Sequence, residues 1–214
     1  MSDNRLIITH LDYNNVEHRK AAANLHTELL ADSYLSMLGY DFLVDYYYKL
    51  LIKNGIINCL LCVSNNKYIG FAGFTKYPFS FMTIGFKKYF FQFSFFFIKK
   101  IFIKPKIIIL LIKIAKEGIS RKFSQKSTNS LSEFLSLGVL VDRKNLWRDK
   151  STGLSASHLL ISNVIMHCKK ENIKDMRMVI KSKNIKSLSA LKSFGAKVVN
   201  NRFTNDSEEL MLYF

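Results

Sequence analysis

The sequence has few cysteines and few acidic residues, and it lacks an apolar N-terminal stretch. Its 214 residues include three cysteines, which are too few, and odd in number, for a disulfide-stapled secreted domain and so indicate a reducing compartment. The first 15 residues hold no apolar run of the kind that a signal peptide needs, so we expect a cytoplasmic protein. The histidines show no metal-ligand spacing, so no metal site is predicted.

Acidic residues are half as many as basic ones, 16 against 32, and the formal net charge is +16. Such a charge is typical of proteins that bind nucleic-acid phosphates. However, eleven basic residues and one acid, Glu117, fall within residues 81–126, where they are interleaved with Phe and Ile. Surfaces that stack bases usually alternate aromatic with polar residues. Nucleic acid is therefore not the expected partner.

The basic, aromatic segment at about residues 79–130 is predicted to be an insertion in a single domain that covers residues 1–214. Its charge-free run YFFQFSFFFI has half of the roughly 20 residues that a membrane-spanning helix needs. The lysine spacing and Pro105 predict a pair of basic, amphipathic helices. Two interpretations stay open: the segment packs on the domain with its Lys heads in water, or residues 81–126 contact an anionic membrane surface.

The rest of the chain alternates strand-like and helix-like patterns, which predicts an α/β domain. Residues 5–11 favour a first strand, and apolar residues at three- and four-residue steps in 15–38 favour one or two helices that end at Gly39. Two further strand-like runs, joined by Ser-Asn-Asn-Lys, predict a β-hairpin.

One helix, expected from a cap at Asp41 to a stop at Gly55, carries three consecutive tyrosines, Tyr46 to Tyr48. Three consecutive side chains cannot all face one side of a helix. We therefore expect at least one of these tyrosines to meet solvent or a ligand, although a division between core and surface is the simpler interpretation.

An apolar strand is predicted within STNSLSEFLSLGVLVD, and it leads into a basic loop and a helix that opens near Gly153 with small residues. Free amides and the positive end of the helix dipole favour an anion there, and small residues permit its close approach. The stretch VIKSKNIKSLSALKSFGAKVV, residues 179–199, then provides a strand, an Asn, a short helix, a Gly and another strand. The sequence therefore predicts a phosphate site between the first of these strands and the helix that follows it.

These three stretches resemble the GNAT superfamily of acyl-CoA-dependent N-acyltransferases. SEFLSLGV is similar to the fourth strand of that fold, and KSTGLS is similar to a degenerate Arg/Gln-x-x-Gly-x-Gly/Ala loop. The stretch 179–199 is similar to the fifth strand, the Asn and the last helix of the family. The resemblance implies a mixed, mostly antiparallel sheet flanked by helices, with the basic segment as a helical insertion.

The resemblance also implies which residues hold acetyl-CoA. The fourth and fifth strands of the family splay apart, and the pantetheine arm in the gap implicates Leu137, Gly138 and Val139. The pyrophosphate site lies on the loop amides, with Lys150 in the Arg/Gln place. The implied pyrophosphate contacts are Lys150, Ser151, Thr152, Gly153, Leu154 and Ser155. Asn184 corresponds to the Asn that meets the cofactor after the fifth strand.

Two departures from the family pattern concern the chemistry. The second loop Gly is Ser155, and the tyrosine that commonly protonates the departing thiolate is replaced by Leu191. Acyl transfer to an amine needs a base, a positioned thioester and an acid or hydrogen bond for the thiolate. Glu133 is the candidate base, and a solvated strand-end carboxylate is an equally open interpretation. His158 is predicted to be a packed helix-face histidine rather than a catalytic one.

The function that follows is N-acyltransfer from acetyl-CoA to a primary amine of a small acceptor. The general arrangement is similar to GNAT proteins of bacterial surface-polysaccharide synthesis, which suggests a nucleotide- or lipid-linked amino sugar. Two alternatives stay open. The chain could be a catalytically impaired CoA-binding protein, because the phenol is missing, or a protein that acts at the inner membrane face through residues 81–126.

Overall fold

A computed structural model describes residues 5–78, 80–94, 131–140, 147–204 and 207–214. Within these residues, seven strands form one sheet in the order β1-β2-β3-β4-β5-β7-β6. The strands are β1 (Leu6–His10), β2 (Asn58–Ser64), β3 (Lys67–Thr75), β4 (Leu131–Val139), β5 (Asp175–Lys181), β6 (Lys197–Thr204) and β7 (Ser207–Tyr213). The helices are α1 (Val16–Leu29), α2 (Tyr34–Leu38), a π-helix (Phe42–Leu51), α3 (Phe81–Lys88), α4 (Ala156–Lys170) and α5 (Ile185–Ser193).

The sheet is mostly antiparallel. Among the described strands, β4 and β5 are the parallel pair, and every other neighbouring pair is antiparallel. The β2–β3 hairpin turns at Asn65 and Asn66, whose φ angles are +48° and +59°. Two successive left-handed residues give the turn the twist that an antiparallel hairpin favours, and Asn tolerates this conformation. The predicted hairpin and the predicted fold class are confirmed.

Helices cover both faces of the sheet and enclose two hydrophobic clusters. The first cluster lies under α4 and α5, with Leu160, Ile161 and Val164 packed against strand residues such as Ile69. The second lies under α1 and the π-helix, with Tyr47 and other helix residues packed against Leu61 and Phe71. The strands β2, β3 and β4 contribute side chains to both clusters, as the two-residue period of a strand requires. We call these two sides the α4 face and the π-helix face.

All three tyrosines of the π-helix are buried, so the expectation that one of them meets solvent is wrong. The π-helix lies between α1 and the sheet on one side and residues 81–93 on the other. Its side chains are therefore covered by α1, by the sheet and by residues 81–93. Tyr46 stacks on Phe42 with ring centroids 5.0 Å apart and contacts the ring of Phe93 at 5.3 Å. Asp41 precedes the helix without a side-chain capping hydrogen bond, so the predicted cap is wrong as well.

Tyr48 shows how the π-helix is tied to α1. Its hydroxyl lies 2.8 Å from Nδ1 of His26, whose Nε2 lies 3.3 Å from the Ser33 hydroxyl. Ser33 Oγ donates to Ser36 Oγ, which in turn donates to the carbonyl of Leu30. His26 Nε2 must therefore carry the proton, and Tyr48 donates to Nδ1. Burial lowers the pKa of His26 to about 4, which keeps the ring neutral.

The cysteines pack in the core. Cys59 belongs to the cluster on the π-helix face and Cys62 to the cluster on the α4 face, because three residues along a strand reverse the side. Their thiols therefore cannot bind one metal ion together. Burial raises the pKa of both thiols, so both stay protonated.

Candidate functional site

The cleft that defines the site begins where β4 separates from β5. The two strands pair in parallel from Leu131↔Asp175 to Phe134↔Met178, and the pairing stops there. β4 continues to Val139 along β3, while β5 continues to Lys181 along β7. Because a strand directs backbone groups to both sides, the β5-facing edge of β4 beyond Phe134 presents N–H and C=O groups that have no strand partner among the described residues. Such an edge suits an extended ligand that carries amide groups.

A cavity of about 310 Å³ lies at the open end of this cleft. Its wall combines the exposed edge of β4, the start of α4, the start of α5 and the end of α1. The lining residues are Leu29, Leu30, Leu137, Gly138, Val139, Leu140, Trp147, Ser155, Ala156, Ser157, Asn184, Ser187 and Ala190. Most of these side chains are small or apolar, so backbone groups and helix ends supply much of the polarity of the wall.

The start of α4 is the part of this wall that favours an anion. Ser155 caps the helix, and its hydroxyl accepts a hydrogen bond from the amide of His158 at 3.3 Å. The first helical residues, Ala156 and Ser157, line the cavity. A fifteen-residue helix whose positive end faces a cavity, with small side chains at that end, attracts phosphate.

The loop before α4 differs from the prediction, because its amides are already bound within the loop. The amides of Ser151 and Thr152 donate to Oδ1 of Asp149 at 3.0 and 2.9 Å. Gly153 N donates to the carbonyl of Asp149 at 2.8 Å, and Leu154 N donates to Thr152 Oγ1 at 3.3 Å. Four of the five amides that were expected to face a pyrophosphate therefore have partners inside the protein.

Asp149 holds this closed loop in place. Its Oδ1 also accepts from the Ser151 and Thr152 hydroxyls, and its Oδ2 accepts from the amide of Leu6 in β1 at 3.0 Å. Hydrogen bonds from Ser151, Leu6 and Thr152 lower the pKa of Asp149 far below its ordinary value. The carboxylate thus takes the position relative to the loop amides that a phosphate takes in an open anion-binding loop.

Trp147 indicates that the cavity has room for a hydrogen-bonding ligand. Trp147 is one of the residues that line the cavity, and its Nε1 is buried with no hydrogen-bond partner among the described residues. A buried indole N–H usually has a partner. The cavity therefore has an apolar wall, an exposed strand edge and a helix start suited to phosphate, and these features fit an amide-containing phosphate ester such as coenzyme A.

Comparison with known proteins rests on structure. No model of a known protein family matches this sequence, and no curated protein matches it either. Several solved structures do match along nearly the whole chain. An N-acetyltransferase from Staphylococcus aureus Mu50 is 12% identical, with a TM-score of 0.53 and coverage of 98% of both chains.

Two other matches are named for what they act on or bind. Aminoglycoside 6′-acetyltransferase type Ii is 12% identical, with a TM-score of 0.56 and coverage of 97% of this chain and 96% of that one. The PaiA N-acetyltransferase from Thermoplasma acidophilum, in complex with coenzyme A, is 14% identical, with a TM-score of 0.51 and coverage of 98% and 99%. The chain has the GNAT fold. At these identities the likeness establishes the fold.

Within the GNAT fold, the predicted cofactor residues fall into two groups. Leu137, Gly138, Val139, Ser155 and Asn184 come together in the wall of the cavity. Asn184 also caps α5, where its Oδ1 accepts from the amide of Ser187 at 3.3 Å. The other group, residues 150–154, forms the closed loop and does not line the cavity. The cofactor role of both groups stays a prediction.

Glu133, the candidate base, is not a solvated carboxylate, so that interpretation is wrong. It is 6% exposed, and its Oε1 accepts from Nη1 of Arg177 at 2.6 Å. Arg177, 1% exposed, also donates from Nε to Oε1 of Glu209 at 2.5 Å. The three side chains tie β4, β5 and β7 together on the π-helix face, where the cleft begins. Glu133 thus has a structural task, and its role as a base stays a prediction.

Two further predicted residues have clear surroundings. Leu191, at the place of the family tyrosine, is 1% exposed and belongs to the cluster on the α4 face. His158 is packed, with Nδ1 2.7 Å from Ser155 Oγ and its ring tilted against Phe194 at 5.5 Å between centroids. Ser193 lies 3.4 Å from its Nε2. His158 therefore braces the start of α4 against the end of α5.

Sequence reasoning missed several residues of the cavity wall. Leu29 and Leu30 come from the far end of α1, and Trp147 comes from the loop. Trp147 is the one tryptophan of the chain and stands eight residues before the cap of α4, which was a usable signal. No local pattern could have placed α1 against β4, because that contact joins segments more than 100 residues apart.

The basic insertion falls largely on residues 95–130, which lie outside the described residues. In its described part, Phe86, Phe90 and Phe91 of residues 81–94 are exposed. No helix in the described ranges is long and apolar enough to cross a bilayer. Those same ranges contain no group of three or more His, Cys, Asp or Glu side chains that could hold a metal ion.

Proposed function

We propose that this protein is an N-acetyltransferase that moves the acetyl group of acetyl-CoA to a primary amine of a small acceptor. The observation that carries this proposal is the cavity where β4 leaves β5, with the start of α4 in its wall. The strand edge binds the pantetheine amides, and the amides at residues 155–157 and the dipole of α4 bind the pyrophosphate. Trp147 Nε1 supplies a further donor to the bound cofactor.

The reaction needs little covalent help from the protein once the thioester and the amine are aligned. The edge of β4 orients the thioester, and the closed end of the cleft excludes water from it. Glu133, through a water molecule, is the proposed base for the acceptor ammonium. The named acceptor class of one structural match, an aminoglycoside, supports an amino sugar as the acceptor here.

The proposal is tested by calorimetry with acetyl-CoA and CoA, followed by a free-thiol assay over amino sugars, amino acids and polyamines. We expect binding of both cofactors in the micromolar range, near –8 kcal/mol for about 1 μM, and thiol release with at least one amino sugar. Failure of the protein to bind CoA contradicts the proposal. Binding without thiol release across the panel supports a CoA-binding protein that has lost catalysis, an alternative that the buried Leu191 favours.

A matched control separates the proposed role of Glu133 as a base from its role in the buried ion pairs. Glu133→Gln and Glu209→Gln each remove one carboxylate from the same buried guanidinium of Arg177. Each should lower the free energy of unfolding by about 3–5 kcal/mol, because a buried charge loses a partner. If Glu133 is the base, Glu133→Gln lowers kcat by a further factor of about 100 relative to Glu209→Gln. Equal kcat values for the two variants contradict the base assignment.

The membrane-surface alternative depends on exposed aromatic side chains that the structure does describe. Phe90 and Phe91 are exposed one turn after Lys87 and Lys88. Sedimentation with anionic phosphatidylserine vesicles should be compared for the intact protein and the variant Phe90→Ser/Phe91→Ser. Vesicle binding that the double variant loses supports membrane contact, and equal pelleting in neutral and anionic vesicles contradicts it.

A further inference from the structure

Three buried hydroxyl groups on the π-helix face have no hydrogen-bond partner among the described residues, Tyr46 Oη, Tyr47 Oη and Ser136 Oγ, and the last two lie near Gly73. Tyr47 is 0% exposed and Ser136 is 9% exposed. A Cβ atom placed on Gly73 would lie 2.7 Å from Ser136 Oγ and 4.0 Å from Tyr47 Oη. The two hydroxyls therefore lie beside one position, residue 73, where the absence of a side chain leaves room for the Ser136 hydroxyl.

Such a pair is unusual in a folded protein. A buried hydroxyl without a partner loses its hydrogen bonds to water and gains none in return, so most buried polar groups are paired. The adjacent Tyr48 follows that rule through its bond to His26. Both tyrosines belong to a π-helix, a conformation that is rare and often found at functional sites. Two unpaired hydroxyls beside one glycine indicate a place that a ligand group completes.

The position of this pair links it to the cleft. Ser136 is the second residue of β4 beyond the last pair with β5, and a bulge between Gly73 and Phe74 accompanies it. Ser136 and Gly138 lie two residues apart on one strand, so both face the π-helix side, where Gly138 contacts Leu29 and Phe71. Gly138 lines the cavity. Ser136 therefore lies roughly 7 Å from Gly138 along β4, toward the closed end of the cleft.

We propose that Tyr47 and Ser136 are catalytic residues whose hydroxyls donate hydrogen bonds to the thioester carbonyl oxygen during acetyl transfer. This inference rests on the proposed function. An acyl donor that enters along β4 with its phosphate end at α4 brings its thioester to the deep end, where the two hydroxyls lie. The two hydroxyls do not take the place of the family tyrosine on α5, because Leu191 holds that place and is part of the apolar core.

The acceptor nitrogen forms a bond to the acetyl carbon, and an electron pair of the C=O bond moves onto oxygen, where both hydroxyls stabilise it. The pair returns, the C–S bond breaks, and its electrons leave with sulfur. One proton leaves the nitrogen and one proton is gained by sulfur, so the products are the amide and free CoA. Tyr47 and Ser136 keep their own protons throughout.

The surroundings of Tyr47 support a donor that stays protonated. Burial raises the pKa of its phenol strongly, and the nearby Cys59 and Glu133 raise it further. A phenol of this kind does not release its proton to solvent at any physiological pH, yet it can stabilise negative charge that develops on a neighbouring oxygen. Pre-placed donors of this type typically contribute about 100-fold to 1,000-fold in rate.

The test uses Tyr47→Phe, with Tyr48→Phe as the matched control and Ser136→Ala as the second variant. Acetyl-CoA labelled with ¹³C at the carbonyl is bound without an acceptor, and its carbonyl stretch is measured by difference infrared spectroscopy. We expect the band to move to lower frequency on binding to the native protein. Tyr47→Phe and Ser136→Ala should each lose much of that shift, and kcat with an accepted amine should fall about 100-fold.

The melting temperature separates this role from a structural one. Tyr47→Phe removes a hydroxyl that has no partner, so its melting temperature should equal or exceed that of the native protein. Tyr48→Phe leaves His26 Nδ1 unpaired, so its melting temperature should fall while the carbonyl band stays shifted.

Each other outcome counts against the inference in a distinct way. An unchanged carbonyl band in both Tyr47→Phe and Ser136→Ala overturns the inference and leaves the proposed function intact. A fall in melting temperature for Tyr47→Phe equal to that of Tyr48→Phe shows a structural partner for Tyr47 and also overturns it. If the native protein binds no acetyl-CoA, the proposed function is wrong and the inference falls with it.

Discussion

The loop at residues 149–154 and the start of α4 at residues 155–157 are adjacent in the chain, and both have the small and polar residues that are typical of an anion site. The loop uses its amides internally, because the carboxylate of Asp149 accepts from Ser151 and Thr152. The start of α4 lines the cavity with Ser155, Ala156 and Ser157. The first region therefore stabilises the fold, and the second is available to a ligand.

The comparison teaches that a run of small and polar residues before a helix has two possible uses. An acidic side chain inside the loop satisfies the amides and makes the loop rigid. Without such a side chain, an external phosphate takes its place. One residue, Asp149, decides between these uses here, and it also fastens the loop to β1 through the amide of Leu6.

The largest expected effect is on cofactor affinity when a negative charge is placed at the start of α4. Ser157→Glu puts a carboxylate in the cavity wall, where it repels a bound pyrophosphate, and we expect the affinity for CoA to fall about 100-fold, or about 2.7 kcal/mol. The fold should tolerate the change, because Glu is favourable in the first turn of a helix. Isothermal titration calorimetry with CoA measures the loss.

Leu154→Glu is the matched control for that variant, since it adds the same charge to the closed loop. Leu154 is 40% exposed and does not line the cavity. We expect the affinity for CoA to fall by less than about threefold, because the charge is solvated and distant from the cavity. An equal loss of affinity in both variants means that the loop also binds the pyrophosphate, and the contrast between the two regions then fails.

A second, smaller effect concerns stability. Asp149→Asn removes the charge that accepts hydrogen bonds from the loop and from β1, so the melting temperature should fall by several degrees. Because the folded pKa of Asp149 is lowered, its contribution is present above the ordinary pKa of Asp and is lost as the pH falls through the lowered value.

The pH dependence of this effect can be measured by thermal melts of both proteins. The difference between native protein and Asp149→Asn should be full near about pH 7 and should shrink as the pH falls below about 4. A difference that is constant over this range means that the charge of Asp149 does not stabilise the loop. CoA affinity that rises in Asp149→Asn means that the freed amides bind phosphate.

The smallest effect is expected at Lys150, the residue at the Arg/Gln place of the family loop. It is exposed in the closed loop, so Lys150→Ala should weaken CoA binding by less than about 1 kcal/mol at low ionic strength. The effect should disappear near about 0.15 M salt, because charges separated by more than a Debye length are screened. A salt-independent loss of tenfold or more indicates direct contact with the pyrophosphate and contradicts the closed-loop assignment.

Much of the fold could be predicted because its signals are local. The β2–β3 hairpin follows from two apolar runs and the Asn65–Asn66 turn, whose left-handed residues Asn tolerates. The helix α4 follows from apolar residues at helical spacing after a run of small residues. The burial of Tyr46 could not be predicted, since it depends on Tyr89 and Phe93, which pack against it from a distant part of the sequence.

The candidate site also has parts that could be predicted from the sequence and parts that could not. Leu137, Gly138, Val139, Ser155 and Asn184, which the family resemblance implied, line one cavity wall, and their cofactor role stays a prediction. The closed loop was missed, although Asp149 was visible in the sequence, because the same residues are compatible with an open and a closed loop. The partners of Glu133 were missed as well, since Arg177 and Glu209 come from other strands.

The sequence by itself determined the order of strands and helices, the hairpin turn and the small residues before α4, because each depends on side chains a few positions apart. Tertiary structure decided which amides stay free, which carboxylates are paired and which hydroxyls meet at Gly73. These outcomes depend on burial and on contacts between strands. In the interior of low polarity, water is absent, so a polar group can form a hydrogen bond only with a protein group that the fold brings close to it.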